Sequence, residues 1–345
     1  MKQENPSSGR ILLSIYHIKY ILSKRWVKIV TVYLMTLFIL LFINFILPRL
    51  LPGDVIIAMY SGQELLITDE LYNELIVLHG LDKPLIEQFY IYITQLAHGD
   101  LGYSYVNRAS TIDLIMKALP WTLLLVLGSF ILSSIAGIIL GVESSWRRGG
   151  RFDRLLLMFL LFIDGIPSIA LGIMFLSVFS LYCGWFPTAG AMTPYSDATG
   201  ITYIIDVLWH LILPLSALTL SQLPGDYLLI RSSMLLTIRE PFVLTARAKG
   251  IKERRIKYLH TARNAILPFF TRIGIRVVYV ITGVLFIETI FAYPGLGLLT
   301  YEAISNRDLP LMQGIFTISV ILVLLVNIIV DLSYKKIDPR IEYAY

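Results

Sequence analysis

Six stretches of this chain stay predominantly apolar for more than twenty residues, and no other feature constrains the fold so strongly. They run from Trp26 to Leu47, Leu119 to Val142, Leu155 to Leu181, Val207 to Ile230, Phe269 to Ala292 and Leu311 to Tyr334. A bilayer core about 30 Å thick needs roughly 20 apolar residues at 1.5 Å each, so every stretch is long enough to span. Helices are expected, because a backbone in lipid must satisfy its own polar groups and a barrel would show ten-residue alternation. The first run is too long for a signal peptide and lacks a small-residue cleavage site, so it reads as a retained anchor. Composition excludes a soluble protein: 56% of residues are hydrophobic, 15% are charged and the mean hydropathy is +0.72, whereas a soluble surface needs about 25% charged residues. The expected fold class is an all-α integral membrane protein with six transmembrane helices.

Positive charge orients these spans. With a cytoplasmic N-terminus, the inside segments collect 23 of the 29 Lys and Arg residues, ten of them between Arg231 and Arg272. The outside segments hold Arg49, Lys83, Arg108, Lys117 and Arg307, and Arg276 lies within a span. Both termini are therefore expected inside. Residues 1–25 alternate Ile11, Leu12, Ile15, Ile18 and Leu22 with Lys19, Lys24 and Arg25, the pattern of an amphipathic helix on the inner leaflet. The first span occupies 26–47, an extracytoplasmic segment 48–118, a core domain with the other five spans 119–334, and a cytoplasmic tail 335–345. Segment 48–118 is too long for a simple connection. It is rich in acids, and Leu71, Leu75, Leu78, Ile86, Phe89 and Ile93 recur at helical spacing, which predicts a partly helical cap.

The inside loop 231–268 is longer than an anchor requires. Pro241 suits a first helical turn and Gly250 a left-handed helix end, so a helix of two to three turns is expected between them. Ala246, Ala248 and Gly250 give it a low profile that would let another protein approach closely. The run Thr245-Ala246-Arg247-Ala248-Lys249-Gly250, with Asn264-Ala265-Ile266-Leu267-Pro268 downstream, resembles the EAA loop of ABC-importer permeases in the form found in the dipeptide, oligopeptide and nickel group. Further agreement comes from Leu51-Pro52-Gly53-Asp54, Gly80-Leu81-Asp82-Lys83-Pro84, Gly99-Asp100-Leu101-Gly102-Tyr103-Ser104, Ile166-Pro167-Ser168, Glu288-Thr289-Ile290-Phe291, Pro294-Gly295-Leu296-Gly297 and Asp338-Pro339-Arg340. The resemblance runs in order from about residue 26 to 342.

It implies a type I ABC-importer permease fold in the inner membrane of a prokaryote. It also implies a subunit forming half of a path for di- or oligopeptides, paired with a homologous second permease, two cytoplasmic ATPases and an extracytoplasmic solute-binding protein. In that family the loop carrying Glu240, Thr245, Ala246, Arg247, Ala248, Lys249, Gly250, Asn264, Leu267 and Pro268 fits a groove on an ATPase and transmits its closure. Nickel or a metal chelate is the alternative cargo. A channel or secondary transporter is the alternative class, but the paired broken helices it calls for are not visible.

No glycine is followed by lysine, so a P-loop is absent. ATP and Mg are accordingly expected on partner subunits, with no cofactor and no metal bound by this chain. His17, His79, His98, His210 and His260 form no His-Glu-x-x-His pair, and no nucleophile and base pattern stands out, so no catalytic residue and no nucleic-acid partner is expected. Ionisable residues inside spans are costly and usually face a bundle interior or a water-filled path. Asp164 with Ser168 one turn on, Asp226, Arg276 and Glu288 are therefore candidates for the translocation path, with helix-to-helix ties as the alternative role.

Overall fold

The structure, a computed structural model, describes residues 27, 30–47, 49–50, 56–57, 68–78, 80–197, 199–269 and 284–337. The expectations for residues 1–25, for Leu51-Pro52-Gly53-Asp54, for Arg276 with most of the fifth span and for Asp338-Pro339-Arg340 fall outside the described residues. Helix α1 (Val30–Leu47) is the first span. Segment 48–118 carries α2 (Asp69–Leu78), α3 (Leu85–Ala97) and a hairpin of β1 (Tyr103–Ser104) with β2 (Ala109–Ser110), paired antiparallel with Tyr103 opposite Ser110. Then follow α4 (Thr111–Trp146), α5 (Arg151–Asp164), α6 (Ser168–Phe175) with a π-helical extension Leu176–Tyr182, α7 (Ile201–Thr237) and α8 (Pro241–Ala248). Residues 284–290 are helical, and α9 (Leu296–Ser305) and α10 (Leu309–Ile337) close the described chain.

Helical spacing in segment 48–118 produces α2 and α3, but α3 is not a freestanding cap. Phe89 sets its ring edge-on to Phe38, Phe42 and Phe45 of α1, with centroids 5.7, 5.4 and 5.2 Å away. Aromatic pairs favour this geometry, because a positive ring edge meets a negative face. The hairpin is fastened to α10 by Asp308, which accepts from the Ser104 hydroxyl and caps the helix through the Leu311 N–H at 3.3 Å.

Among the described residues, α1, α4, α7 and α10 are long and apolar enough to cross a membrane. The expected third span, Leu155 to Leu181, is not one continuous helix. It is α5 and α6, bent by 100° across Gly165, Ile166 and Pro167. Proline lacks an N–H and pushes the residue before it out of the helical region, so Ile166 must leave the helix and α6 restarts after Pro167. With 14 residues, α5 rises only about 21 Å. In α7, by contrast, Pro214 and Pro224 stand inside a helix of 37 residues that runs through both.

The centre of the molecule is the packing of α4 on α7. Ser129, Ser133, Gly137, Gly141 and Ser145, each four residues from the next, form a buried stripe of small side chains on α4. A β-carbon on Gly137 would fall 2.5 Å from that of Asp226, and one on Gly141 would fall 2.9 Å from that of Ile230. In lipid, apolar surface does not drive helices together, so association depends on this kind of close packing and on interhelical hydrogen bonds. The Gln222 amide supplies one such bond, donating to Ser129 Oγ at 3.3 Å. Overpacking a dense contact costs about 1–3 kcal/mol or more. Gly137→Leu is therefore expected to lower the melting temperature and yield of detergent-purified protein, whereas Gly225→Ala, where a new methyl meets nothing within 4 Å, should melt at or above the wild-type temperature.

Candidate functional site

The loop after α7 builds its helix as the sequence predicts. Glu240 is extended (φ −67°, ψ 145°), Pro241 opens α8, and Gly250 takes φ +71°, a conformation that favours glycine. The end is a Schellman motif: the Gly250 N–H reaches the Arg247 carbonyl at 2.9 Å and the Ile251 N–H reaches that of Ala246 at 3.2 Å. Val243 and Ala246, three residues apart, are buried with Ile256 against Trp146 and Ile251. The small size of Ala246 is therefore taken up by packing within the chain and does not offer a low profile to another protein. The open side of α8 carries Phe242, Leu244 (61% exposed), Thr245 and Ala248, followed by Lys249 and Gly250.

Several contacts bind this helix to the spans. Trp146, the last residue of α4, packs in the α8 cluster and also in a second cluster of Val142, Ile230, Met234, Ala262, Ala265 and Phe269. Arg247 stacks over the Trp146 ring at 5.6 Å and pairs with Glu253 at 2.9 Å. Downstream, Lys257 and Tyr258 in the π-helical run Ile256–Ala262 both bond Glu143 of α4. Asn264 donates to the His260 carbonyl at 2.9 Å, Leu267 is half-buried and Pro268 is exposed, so the downstream motif residues shape the return of the chain to the helices.

Beside this attachment lies a polar knot that the sequence reading missed. Asp153 of α5 is 4% exposed and accepts from Arg231 Nε at 2.9 Å and a guanidinium Nη at 3.0 Å, from Ser144 Oγ at 2.5 Å and from the Gly149 N–H at 2.9 Å. Tyr227 shares a hydrogen bond with Ser144 at 2.6 Å. The Arg231 guanidinium holds the Asp153 carboxyl well below the usual carboxylate range. A serine just before a basic turn and an acid just after it was the available signal, but nothing in spacing links them to an arginine 78 residues on. Removing one partner of a buried pair costs about 3–5 kcal/mol, because it strands the other charge. Asp153→Ala should thus sharply lower the thermal stability of the purified protein, and Asp153→Ala with Arg231→Met should recover most of the loss. The contribution of the pair is present above about pH 4 and falls away at more acid pH, since the folded carboxyl titrates lower than the unfolded one.

The path candidates fall into separate surroundings. Asp164 is exposed at the end of α5, at the bend, and Ser168 is half-buried at the start of α6. Asp226 is 3% exposed inside the α4–α7 contact beside Gly137, which makes it part of the interhelical packing. Glu288 is fully enclosed and does not open onto a path. Its carboxylate accepts from the Thr122 hydroxyl at 2.7 Å and from the Gly297 and Leu298 N–H groups at 2.6 and 3.3 Å, capping the N-terminus of α9. Thr122 in turn accepts the Leu296 N–H at 2.7 Å. A side chain at Gly295 would collide with the Glu288 carboxylate, and one at Gly297 would meet the Leu285 backbone at 2.5 Å. The acid and the two glycines are one built turn.

The described residues thus form a bundle of apolar helices around a close α4–α7 pair, with a short helix presented on a basic loop. The family described as binding-protein-dependent transport system inner membrane component matches residues 133–343, and the chain belongs to that family. It is 34% identical over 324 residues to the di/tripeptide transport system permease protein DppB of Pseudomonas aeruginosa, covering 89% of this chain and 95% of the relative. It is 35% identical over 303 residues to the oligopeptide transport system permease protein AppB of Bacillus subtilis, covering 87% and 93%. The fold resembles that of a chain in inward-facing conformations of the MetNI methionine ABC transporter, with a TM-score of 0.54 at 17% identity over 66% of this chain and 97% of that one. The protein is thus a multi-pass prokaryotic membrane subunit whose family works with ATPase, binding-protein and second-permease partners.

Proposed function

We propose that this chain is one of two membrane subunits of an ATP-driven importer of di- or oligopeptides. The observation that carries the reading is the similarity to peptide permeases along nearly the whole chain, at 32–36% identity over 86–89% of its length. Charge supports six spans with both termini in the cytoplasm, since ten of the basic residues lie between Arg231 and Arg272, around α8. Two separate ATPases bind ATP and Mg, a solute-binding protein delivers cargo from outside, and this chain holds no cofactor and catalyses no reaction. The exposed side of α8 seats in the ATPase. Its movement passes through Trp146 and the Lys257–Glu143 pair to the inner ends of α4 and α7, as a rigid lever made of packed side chains would transmit it.

Because Phe242 and Leu244 are exposed whereas Ala246 is buried, the two faces of α8 separate docking from folding. Leu244→Asp, in cells expressing the whole importer, should leave the amount of inserted subunit unchanged and cut ATPase co-purification and labelled-dipeptide uptake at least about ten-fold, the loss expected of a central apolar anchor. Ala246→Glu should lower the amount of folded subunit instead. Full co-purification and uptake by the Leu244→Asp importer would reject this docking face, and absence of uptake of any peptide by the wild-type importer would reject peptide as cargo.

A further inference from the structure

Segment 48–118 and the adjoining ends of α1 and α10 line an open cavity of about 620 Å³. Its volume lies in the range of small-ligand sites, and it stands apart from the α4–α7 contact and from α8. Arg49 lines it, half-buried, with the guanidinium fixed from three directions. The Phe45 carbonyl accepts from Nη1 at 2.7 Å, and Gln88 Oε1 accepts from Nε at 3.3 Å and from Nη2 at 2.8 Å. The Phe45 ring lies 3.7 Å below the guanidinium carbon. All of these partners are neutral. Among the described residues Arg49 pairs with no carboxylate, and of its five N–H groups two remain.

The same lining contains Asp100, exposed at the rim. One of its oxygens takes the Gly102 N–H at 2.8 Å, and it forms no ion pair among the described residues. Lys83, also on the rim, is already matched with Glu87 at 2.9 Å. The cavity therefore offers one fixed cation and one anion that do not neutralise each other. The lining also holds the exposed amide of Gln95 and the apolar side chains Ile91 and Leu96.

A ligand complementary to this lining carries a carboxylate and an ammonium at opposite ends, with amide groups and apolar side chains between. That is a free short peptide. A phospholipid phosphate would suit Arg49, but an anionic headgroup has nothing to offer Asp100, and a zwitterionic one, whose ammonium follows its phosphate by two carbons, brings no amide for Gln95 and no side chain for Ile91 and Leu96. We propose that this cavity binds a short peptide as a zwitterion, with Arg49 receiving its terminal carboxylate and Asp100 its terminal ammonium. The proposal rests on the reading of the chain as a peptide permease and adds to it a site on the entry side, outside the contact between the central helices.

The test uses the full-length chain in phosphatidylcholine nanodiscs and measures the affinity of trialanine, trialanine amide and N-acetyl-trialanine. Wild type should bind trialanine about ten-fold or more tightly than either blocked form, as expected when a charge-assisted hydrogen bond is lost at each end. Arg49→Gln should abolish the preference over the amide alone, and Asp100→Asn the preference over the acetylated form alone. Gln95→Trp, which fills the cavity from an exposed position, should weaken all three by a similar factor and keeps the test valid if Arg49→Gln does not fold. Equal binding of the free and amidated peptides by wild type, a preference that survives Arg49→Gln, or unaltered binding by Gln95→Trp would each overturn the proposal. Loss of the preference for trialanine over its amide when phosphatidylglycerol replaces phosphatidylcholine would assign Arg49 to a lipid phosphate and also overturn it. Peptide uptake by the complete importer separates the two readings: uptake with no Arg49-dependent preference rejects the cavity alone, whereas absence of uptake rejects the peptide assignment.

Discussion

The backbones of α4 and α7 approach each other because Gly137 and Gly141 have no side chains to hold them apart, and the rest of the described structure takes its position from that contact. In water such a pair could be pressed together by surrounding apolar surface. In lipid the tails are as apolar as leucine, so the helices need a complementary shape and a few polar links. The stripe from Ser129 to Ser145 supplies both, with gaps at the glycines and hydroxyls at the serines. Its register also fixes what lies beyond. One turn past Gly141, Ser144 and Ser145 stand beside Tyr227 and Arg231, and the Asp153 knot ties the short turn between α4 and α5 to the same place on α7.

That register explains how a helix as short as α8 is held firmly in place. Eight residues of helix are marginal in water, and most helical stability in proteins comes from packing of one face. Here the packed face is Val243 and Ala246 on Ile256 and Trp146, and Trp146 also packs on the cluster at the C-terminal ends of α4 and α7. The outward face, with Phe242 and Leu244, is left exposed. A basic loop without the Schellman end and the tryptophan contact would carry the same charge but lack this fixed position.

Acids dominate the turns that organise the other end of the helices, and each is used as a cap. Glu288 closes the first turn of α9 and Asp308 that of α10, where exposed N–H groups and the helix dipole favour a negative oxygen. Burial would make such carboxylates costly if they were left bare, but Thr122 and Ser104 each donate to one of them. Glycine at 295 and 297 then follows from space, because the carboxylate and the Leu285 backbone occupy the volume a side chain would need.

Much of this was legible in the sequence. The apolar runs mark α1, α4, α7 and α10, because twenty apolar residues have few alternatives to a membrane-spanning helix. The Pro241 to Gly250 bracket marks α8 and its left-handed end, because both residues act through their own backbone. Proline was legible only in part: Pro167 breaks its span whereas Pro214 and Pro224 do not, a difference that neighbouring helices decide by packing against the freed backbone. The roles of single charges were not legible at all. Periodicity places Asp226 and Glu288 within spans, but the facing of each depends on residues far along the chain, Gly137 for one and Thr122 and Gly297 for the other. The Asp153 and Arg231 pair and the double duty of Trp146 belong to the same kind. The sequence by itself determined which stretches become the long apolar helices α1, α4, α7 and α10 and where the short helix α8 begins and ends, since those follow from local composition and backbone chemistry. Only the tertiary structure decided which polar groups hold the bundle together and which line a cavity, since a buried charge acquires its role from whatever lies opposite it.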